Sequence, residues 1–115
     1  MKRPTKYDKV FRSFKKKQLL FWGKPEELKE RAIEILNHPV YGKTLRNFKP
    51  MKQQLTGPEL VEHYQEMREI MRKLHQNNEQ KELFEIFKQY GKQTTGLKNS
   101  FEAADAYMKE LFPDY

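Results

Sequence analysis

The stretch YGKQTTGLKNSF, residues 90–101, has the residue types of a phosphate-binding loop, because two glycines five positions apart are surrounded by lysine and threonine. A P-loop has the order G-x-x-x-x-G-K-[ST], in which the lysine reaches the phosphates and the hydroxyl binds magnesium. Here Leu97 stands where that lysine is required, and Lys98 stands where the hydroxyl is required. We therefore interpret Gly91 as a helix C-cap and Gly96 as a turn residue, with the lysines of the loop solvated and no nucleotide bound.

The three histidines, His38, His63 and His75, do not form a metal-binding pattern. Glu59 and His63 share a helix face at i and i+4, but no second histidine joins them, so we expect His63 to be a surface residue. The absence of cysteine excludes thiolate zinc ligands and a cysteine nucleophile, and no G-x-S-x-G motif is present. We predict no cofactor, no metal site and no catalytic residue, and hence a protein that is not an enzyme.

Positive charge is concentrated at one end of the chain. Residues 1–24 contain nine Lys or Arg and one Asp, a net charge of +8, whereas residues 25–115 contain 14 basic and 15 acidic side chains, a net charge of −1. Residues 35–58 contain four basic side chains and no acidic one. Such asymmetry is typical of proteins that bind a polyanion or an acidic partner. The candidate binding residues are Lys6, Lys9, Arg12, Lys15, Lys16, Lys17, Lys43, Arg46, Lys49 and Lys52.

The spacing of apolar residues along the chain is mostly helical, so we expect helices to position these basic residues. Residues 6–21 have an apolar stripe at helical spacing with lysines off it, which predicts a basic amphipathic helix whose stripe faces the core. The stripe consists of Tyr7, Val10, Phe11, Phe14 and Phe21. We expect residues 1–24 to form this helix, as part of or packed on a helical bundle of residues 25–115. The length of 115 residues supports a single domain overall.

A second helix begins at Pro25, which suits a first turn because it lacks an N–H, and ends before Pro39. Its core face is predicted to consist of Leu28, Ala32, Ile35 and Leu36. Residues 39–57 contain two prolines and no sustained period. We predict a long ordered connector here, with one helical turn around residues 43–48. A connector of this length in so small a domain is often functional.

The clearest helix start lies at residues 56–59, where Thr56 and Glu59 have the spacing of a capping box and Pro58 suits the first turn. An apolar seam at heptad spacing follows. It consists of Leu60, Tyr64, Met67, Met71 and Leu74. We interpret it as the core face of a bundle helix, with a homo-oligomer through the Leu60–Leu74 seam as the alternative.

Two further helices complete the pattern. The first includes the apolar residues from Leu83 to Tyr90, and the second begins after Asn99 or Ser100. The apolar face of the last helix is predicted to consist of Phe101, Ala104, Met108 and Leu111. No segment shows strand alternation, so the predicted fold class is all-α: a small single-domain bundle of four to five helices with the ordered connector at 39–57.

Three segments, KVFRSFKK, EELKERAIEILNH and TGPELVEHYQEMREIMRKL, together resemble the three-helix plan of the LYR-motif proteins. These are small basic mitochondrial accessory subunits and assembly factors that bind acyl carrier protein. In this resemblance Val10, Phe11 and Arg12 stand for Leu-Tyr-Arg. Arg12 is the one identical residue of the triplet, and the connector at 39–57 is longer than the family plan. The resemblance implies a mitochondrial accessory or assembly protein.

The sequence as a whole favours a non-catalytic binding protein, such as a small subunit, adaptor or inhibitor, for example from a mobile element. Its basic N-terminal face would contact an acidic protein surface or a larger complex. The alternative is a nucleic-acid-binding module that uses the N-terminal and 39–57 basic segments with little sequence preference, because Lys outnumbers Arg. Tyr7, Phe11 or Trp22 would then stack on unpaired bases.

No apolar run approaches the length of about 20 residues that spans a bilayer, so we expect no membrane span. The first residues lack the long apolar region of a secretory signal. We expect an intracellular protein, in the cytoplasm or, if the LYR-like reading holds, in mitochondria.

Overall fold

The computed structural model describes residues 18–49, 54–94 and 101–114. Helices and the turns between them make up these residues, and no strand occurs among them, which confirms the predicted all-α fold. The helices are α1 (residues 18–22), α2 (Pro25–Leu36), α3 (Gly42–Arg46), α4 (Pro58–Gln76), α5 (Gln80–Lys88) and α6 (Phe101–Leu111). The short helix α3 is the helical turn predicted within the connector.

Helix α2 forms as the sequence predicts. Pro25 occupies its first turn, and the backbone N–H of Lys24 donates to the Glu27 carboxylate over 3.1 Å. Acidic side chains near a helix N-terminus are stabilising because they face the positive end of the helix dipole. The predicted core residues of this helix are all buried: Leu28, Ala32, Ile35 and Leu36.

The start of α4 differs from the prediction at its cap. The residue before Pro58 is Gly57, with a φ of 97°, and no side chain caps the helix. The predicted Thr56–Glu59 capping box is therefore wrong, because Thr56 lies one position too early. The Glu59 carboxylate instead accepts a hydrogen bond from the hydroxyl of Tyr41. Pro58 does occupy the first turn, as predicted.

The core lies around α4, which packs against α2, α5 and α6. Met67, Met71 and Leu74 of the seam are fully buried, while Leu60 and Tyr64 are partly buried against the same core. The prediction of a core-facing seam is confirmed. The last three residues of the seam are enclosed within the chain, and the alternative of a homo-oligomer through this seam stays a prediction.

Helices α5 and α6 close the other side of the core. Helix α5 buries Leu83, Phe84, Ile86 and Phe87, and α6 buries Ala104 and Met108. Phe101 departs from the predicted core face of the last helix, because it is 48% exposed with its ring stacked on His75 at a centroid distance of 4.2 Å. None of the helices in the described ranges has both the length and the apolar character needed to cross a membrane.

Candidate binding surface

The connector is tied to the core at several points along residues 39–49. At its start the Nδ1 atom of His38 accepts hydrogen bonds from the backbone N–H groups of Val40 and Tyr41, at 3.1 and 3.2 Å. Leu45 of α3 is buried, and the Phe48 ring packs edge-on against Tyr64 at a centroid distance of 5.2 Å. This half of the connector is therefore ordered, as predicted.

A cluster of rings joins the connector to the first turns of α4. Tyr41 stacks on His38 at 5.0 Å, and His63 lies 5.3 Å from His38 and 5.5 Å from Tyr41. The Tyr41 hydroxyl donates to the Glu59 carboxylate over 2.6 Å. That hydrogen bond, then partial burial and the charge of Glu59, raise the pKa of the Tyr41 hydroxyl above its usual range.

The predicted surface position of His63 is therefore only partly correct. The side chain is half-buried, and its Nδ1 atom lies 2.7 Å from the carbonyl oxygen of Glu59. Residues 18–49, 54–94 and 101–114 contain no group of three metal-binding side chains with suitable geometry. The cluster of His38, Tyr41, Glu59 and His63 thus fixes the connector to α4 through its own hydrogen bonds and ring contacts.

Exposed basic side chains follow this anchor, and we call Lys43, Arg46 and Lys49 the connector face. All three are exposed, and Lys43 and Arg46 are three positions apart on the single turn of α3. Arg46 donates through Nε to the carbonyl oxygen of Gly42 over 3.4 Å. Within the part of the chain that the structure describes, neither Lys43 nor Arg46 forms an ion pair.

The basic side chains of the bundle behave differently, because several of them are paired with carboxylates. Lys29 pairs with Glu85 over 2.9 Å, and this hydrogen bond raises the pKa of Lys29 and lowers that of Glu85. Arg68 pairs with Asp114 over 2.8 Å, and this hydrogen bond lowers the pKa of Asp114. Further pairs are Arg31–Glu66, Lys92–Glu110 and Lys109–Asp105. Lys43 and Arg46 are therefore exposed cations without an ion pair among the described residues, whereas these five cations of the bundle are paired.

The other predicted binding residues lie outside the described ranges. They are Lys6, Lys9, Arg12, Lys15, Lys16, Lys17 and Lys52. The prediction that residues 1–24 form one helix extends beyond those ranges as well, and its described part is helical at residues 18–22.

Two neighbouring aromatic residues on α1 are exposed, and one of them departs from its predicted position. Phe21 was predicted to face the core, but it is 74% exposed, and Trp22 beside it is 82% exposed. Leu19 and Leu20 pack against the core instead. The available signal was the run of four consecutive apolar residues, because a helix this close to the surface cannot bury all of them.

The glycine-rich stretch ends α5 as predicted. Gly91 has a φ of +72°, and its N–H donates to the carbonyl oxygen of Lys88 over 3.0 Å. Lys92, expected on a solvated loop, pairs with Glu110 and lies 5.8 Å from the centroid of the Tyr107 ring. That expectation is wrong for Lys92, while Gly96 and Lys98 lie outside the described residues.

Gly91→Ala is expected to lower the free energy of unfolding by roughly 1 kcal/mol, because a Cβ disfavours the left-handed backbone conformation. A Cβ at this position would meet no atom within 4 Å, so the cost would be conformational and not steric. Urea denaturation would measure it, with Gln93→Ala, an exposed position two residues later, as the control that should change little. Equal stability of both variants would show that residue 91 does not hold a positive φ in solution.

Comparison with protein-family models, with curated proteins and with solved structures finds no significant match to this chain.

Proposed function

We propose that the protein is a non-catalytic binding protein whose connector face binds an acidic protein surface, alone or within a larger complex. The main support is that Lys43 and Arg46 are exposed and have no carboxylate partner among the described residues, on a connector tied to the core. No acidic residue occurs between positions 35 and 58, so the surrounding sequence cannot supply one locally.

The physical chemistry of this face suits an acidic partner. Two cations on one helical turn are held near each other before binding, which lowers the entropy lost when both contact carboxylates. The planar guanidinium of Arg46 can donate two parallel hydrogen bonds to one carboxylate, and Lys43 adds a point charge. Exposed ion pairs contribute at most about 1 kcal/mol each, so the face mainly increases the association rate and sets orientation.

The titratable cluster beside the connector gives no support for catalysis. The Nδ1 atom of His38 accepts two backbone N–H groups, and the Tyr41 hydroxyl is bonded to Glu59. These hydrogen bonds account for the positions of both side chains, and a general base must instead offer its lone pair to a substrate. We therefore propose a small subunit, adaptor or inhibitor. The LYR-like accessory role stays a further alternative, since its triplet at 10–12 lies outside the described residues.

Reversing the charge of the connector face is expected to remove the partner. In affinity capture from the native host after nuclease treatment, we expect an acidic protein to bind the parent chain and its recovery to fall at least roughly tenfold with Lys43→Glu/Arg46→Glu. Lys81→Glu/Lys88→Glu is the matched control, because it reverses two exposed cations on α5. Association rates of the purified complex should also fall as salt rises.

Two results would contradict the proposal. Equal recovery of the protein with the parent and with the connector-face variant would show that the contact lies elsewhere. A partner that disappears on nuclease treatment, before any substitution, would favour the nucleic-acid alternative for this face.

A further inference from the structure

His38 caps the turn that leads from α2 into α3. Its Nδ1 atom accepts hydrogen bonds from the backbone N–H groups of Val40 and Tyr41, at 3.1 and 3.2 Å, and its carbonyl oxygen accepts the N–H of Gly42 over 2.8 Å. These are the hydrogen bonds of a helix N-cap, and Pro39 occupies the first position after the cap, where no N–H is needed. The usual N-cap acceptor is the side-chain oxygen of Ser, Thr, Asp or Asn. Here the acceptor is an imidazole nitrogen, which can be protonated.

The two histidines that contact each other beside the connector use their Nδ1 atoms in opposite ways. A neutral imidazole has one lone pair and one N–H, and protonation converts the lone pair into a second N–H. The Nδ1 atom of His38 is an acceptor, so protonation removes both of its hydrogen bonds. The Nδ1 atom of His63 lies 2.7 Å from the carbonyl oxygen of Glu59, which can only accept, so this nitrogen donates and protonation leaves the bond in place. Of the two histidines, only His38 loses these hydrogen bonds in acid.

The rings packed on His38 come from the connector and from α4. Tyr41 stacks on it at a centroid distance of 5.0 Å, and His63 contacts it edge-on at 5.3 Å. The charge of Glu59, which accepts the Tyr41 hydroxyl, favours an imidazolium nearby, whereas a protonated His63 disfavours one. Because these two effects oppose each other, the loss of the two backbone hydrogen bonds decides the response to acid. His38 is half-buried, so solvent protons reach it.

We propose that His38 is a pH-sensitive N-cap, whose neutral ring orders the start of the connector and whose protonation releases Val40 and Tyr41. Histidine ordinarily changes its charge between about pH 5 and 8, so the cap forms near neutral pH and is lost in mild acid. The release is local, because Leu45 remains buried in the core. Lys43 and Arg46 follow the cap directly, and acid therefore weakens the fixed placement of the connector face. That consequence rests on the proposed function, whereas the cap itself does not.

Solvent-exchange NMR of the isotope-labelled full chain measures the cap directly. After correction for the intrinsic pH dependence of amide exchange, protection of the Val40 and Tyr41 N–H groups should fall by roughly fivefold or more between about pH 7.5 and 5.5. This factor corresponds to the usual effect of removing an N-cap acceptor. The N–H of Gly91, which donates to the carbonyl oxygen of Lys88 at the end of α5, is the internal control and should keep its protection.

Three variants separate the acceptor from the ring. His38→Asn places an oxygen on the same Cγ atom, and because this acceptor stays unprotonated, the Val40 and Tyr41 amides should remain protected at about pH 5.5. His38→Phe keeps a ring beside Tyr41 without an acceptor, so protection should be low at both pH values. His63→Gln removes the neighbouring imidazole and should preserve the loss in acid. Thermal melts establish that each variant remains folded.

Three results would overturn the proposal. Unchanged protection of Val40 and Tyr41 in the parent between the two pH values would show that the turn does not depend on a neutral His38. An equal loss in His38→Asn would assign the response to another titrating group, and disappearance of the response in His63→Gln would assign it to His63. All of these measurements use the protein without a partner, so their outcome is independent of the charge-reversal experiment that tests the connector face.

Discussion

Met67→Asp is expected to lower the free energy of unfolding by about 3 kcal/mol or more. Met67 is fully buried at the centre of the α4 seam, and its sulfur accepts a hydrogen bond from the Tyr90 hydroxyl over 2.9 Å. That hydroxyl is itself deeply buried, and burial raises its pKa well above the usual range. A carboxylate at position 67 would thus lie in an apolar environment without a cationic partner. Urea denaturation followed by circular dichroism measures the change.

The matched control for this substitution is Gln65→Asp. It places the same side chain two positions away on an exposed face of α4, where the charge remains hydrated. Its unfolding free energy should stay within about 0.5 kcal/mol of the parent. If Met67→Asp also unfolds at the parent midpoint, the seam is exposed in solution and is a binding face instead of core.

The seam could be predicted from the sequence because a helix repeats its positions every 3.6 residues, so spacing alone identifies one side. The same rule failed for Phe21. Periodicity identifies a stripe but not which stripe meets the neighbouring helix, and α1 contacts the core through Leu19 and Leu20. The stripe through Phe21 and the stripe through Leu19 and Leu20 are both apolar. Which of the two faces the core can be decided only when the position of α4 is known.

The connector was predicted to be ordered from its prolines and length, and the site of its helical turn was predicted nearly correctly. Its anchors were not predictable. Tyr41 and Glu59 are 18 residues apart in the chain, and their hydrogen bond depends on how α4 crosses the end of α2. The capping box was wrong for the same reason. The local motif assigned Glu59 a role at the start of α4 together with Thr56, whereas its carboxylate is hydrogen-bonded to the distant Tyr41.

The charge asymmetry was visible in the sequence, but the distinction between paired and unpaired cations was not. Lys29 forms an ion pair with Glu85 between α2 and α5, and Lys92 forms one with Glu110 between the end of α5 and α6. Counting charges assigns all lysines the same role. Only the fold shows that Lys43 and Arg46 remain unpaired within the described chain, which is the basis of the proposed connector face.

The ion pair with the most buried carboxylate among the described residues joins α2 to α4. Arg31 donates through Nε to both carboxylate oxygens of Glu66, at 3.2 and 3.1 Å, and through Nη2 at 3.0 Å. Its Nη1 donates to Glu34 over 3.0 Å. Burial lowers the pKa of the Arg31 guanidinium, but the hydrogen bonds and charges of Glu66 and Glu34 outweigh it and raise the pKa.

Removing one partner of this contact should cost more than removing both. The Glu66 side chain is 8% exposed and that of Arg31 is 28% exposed, so Arg31→Met leaves a nearly buried carboxylate without its cation. Because solvent still reaches Arg31, we expect a loss of about 2 kcal/mol, below the 3–5 kcal/mol typical of fully buried pairs. Arg31→Met/Glu66→Met should recover part of that loss, since two apolar side chains of similar volume replace both charges.

The measurement is a double-mutant cycle by urea denaturation with Arg31→Met, Glu66→Met and the double variant. Lys29→Met is the control on the same helix, and it should cost less than Arg31→Met because the carboxylate left behind, Glu85, has a side chain that is 39% exposed and stays hydrated. Additive losses in the cycle would contradict the prediction. They would mean that Arg31 and Glu66 contribute through separate packing contacts, and that the α2–α4 interface is held by Leu28, Ala32 and their apolar neighbours alone.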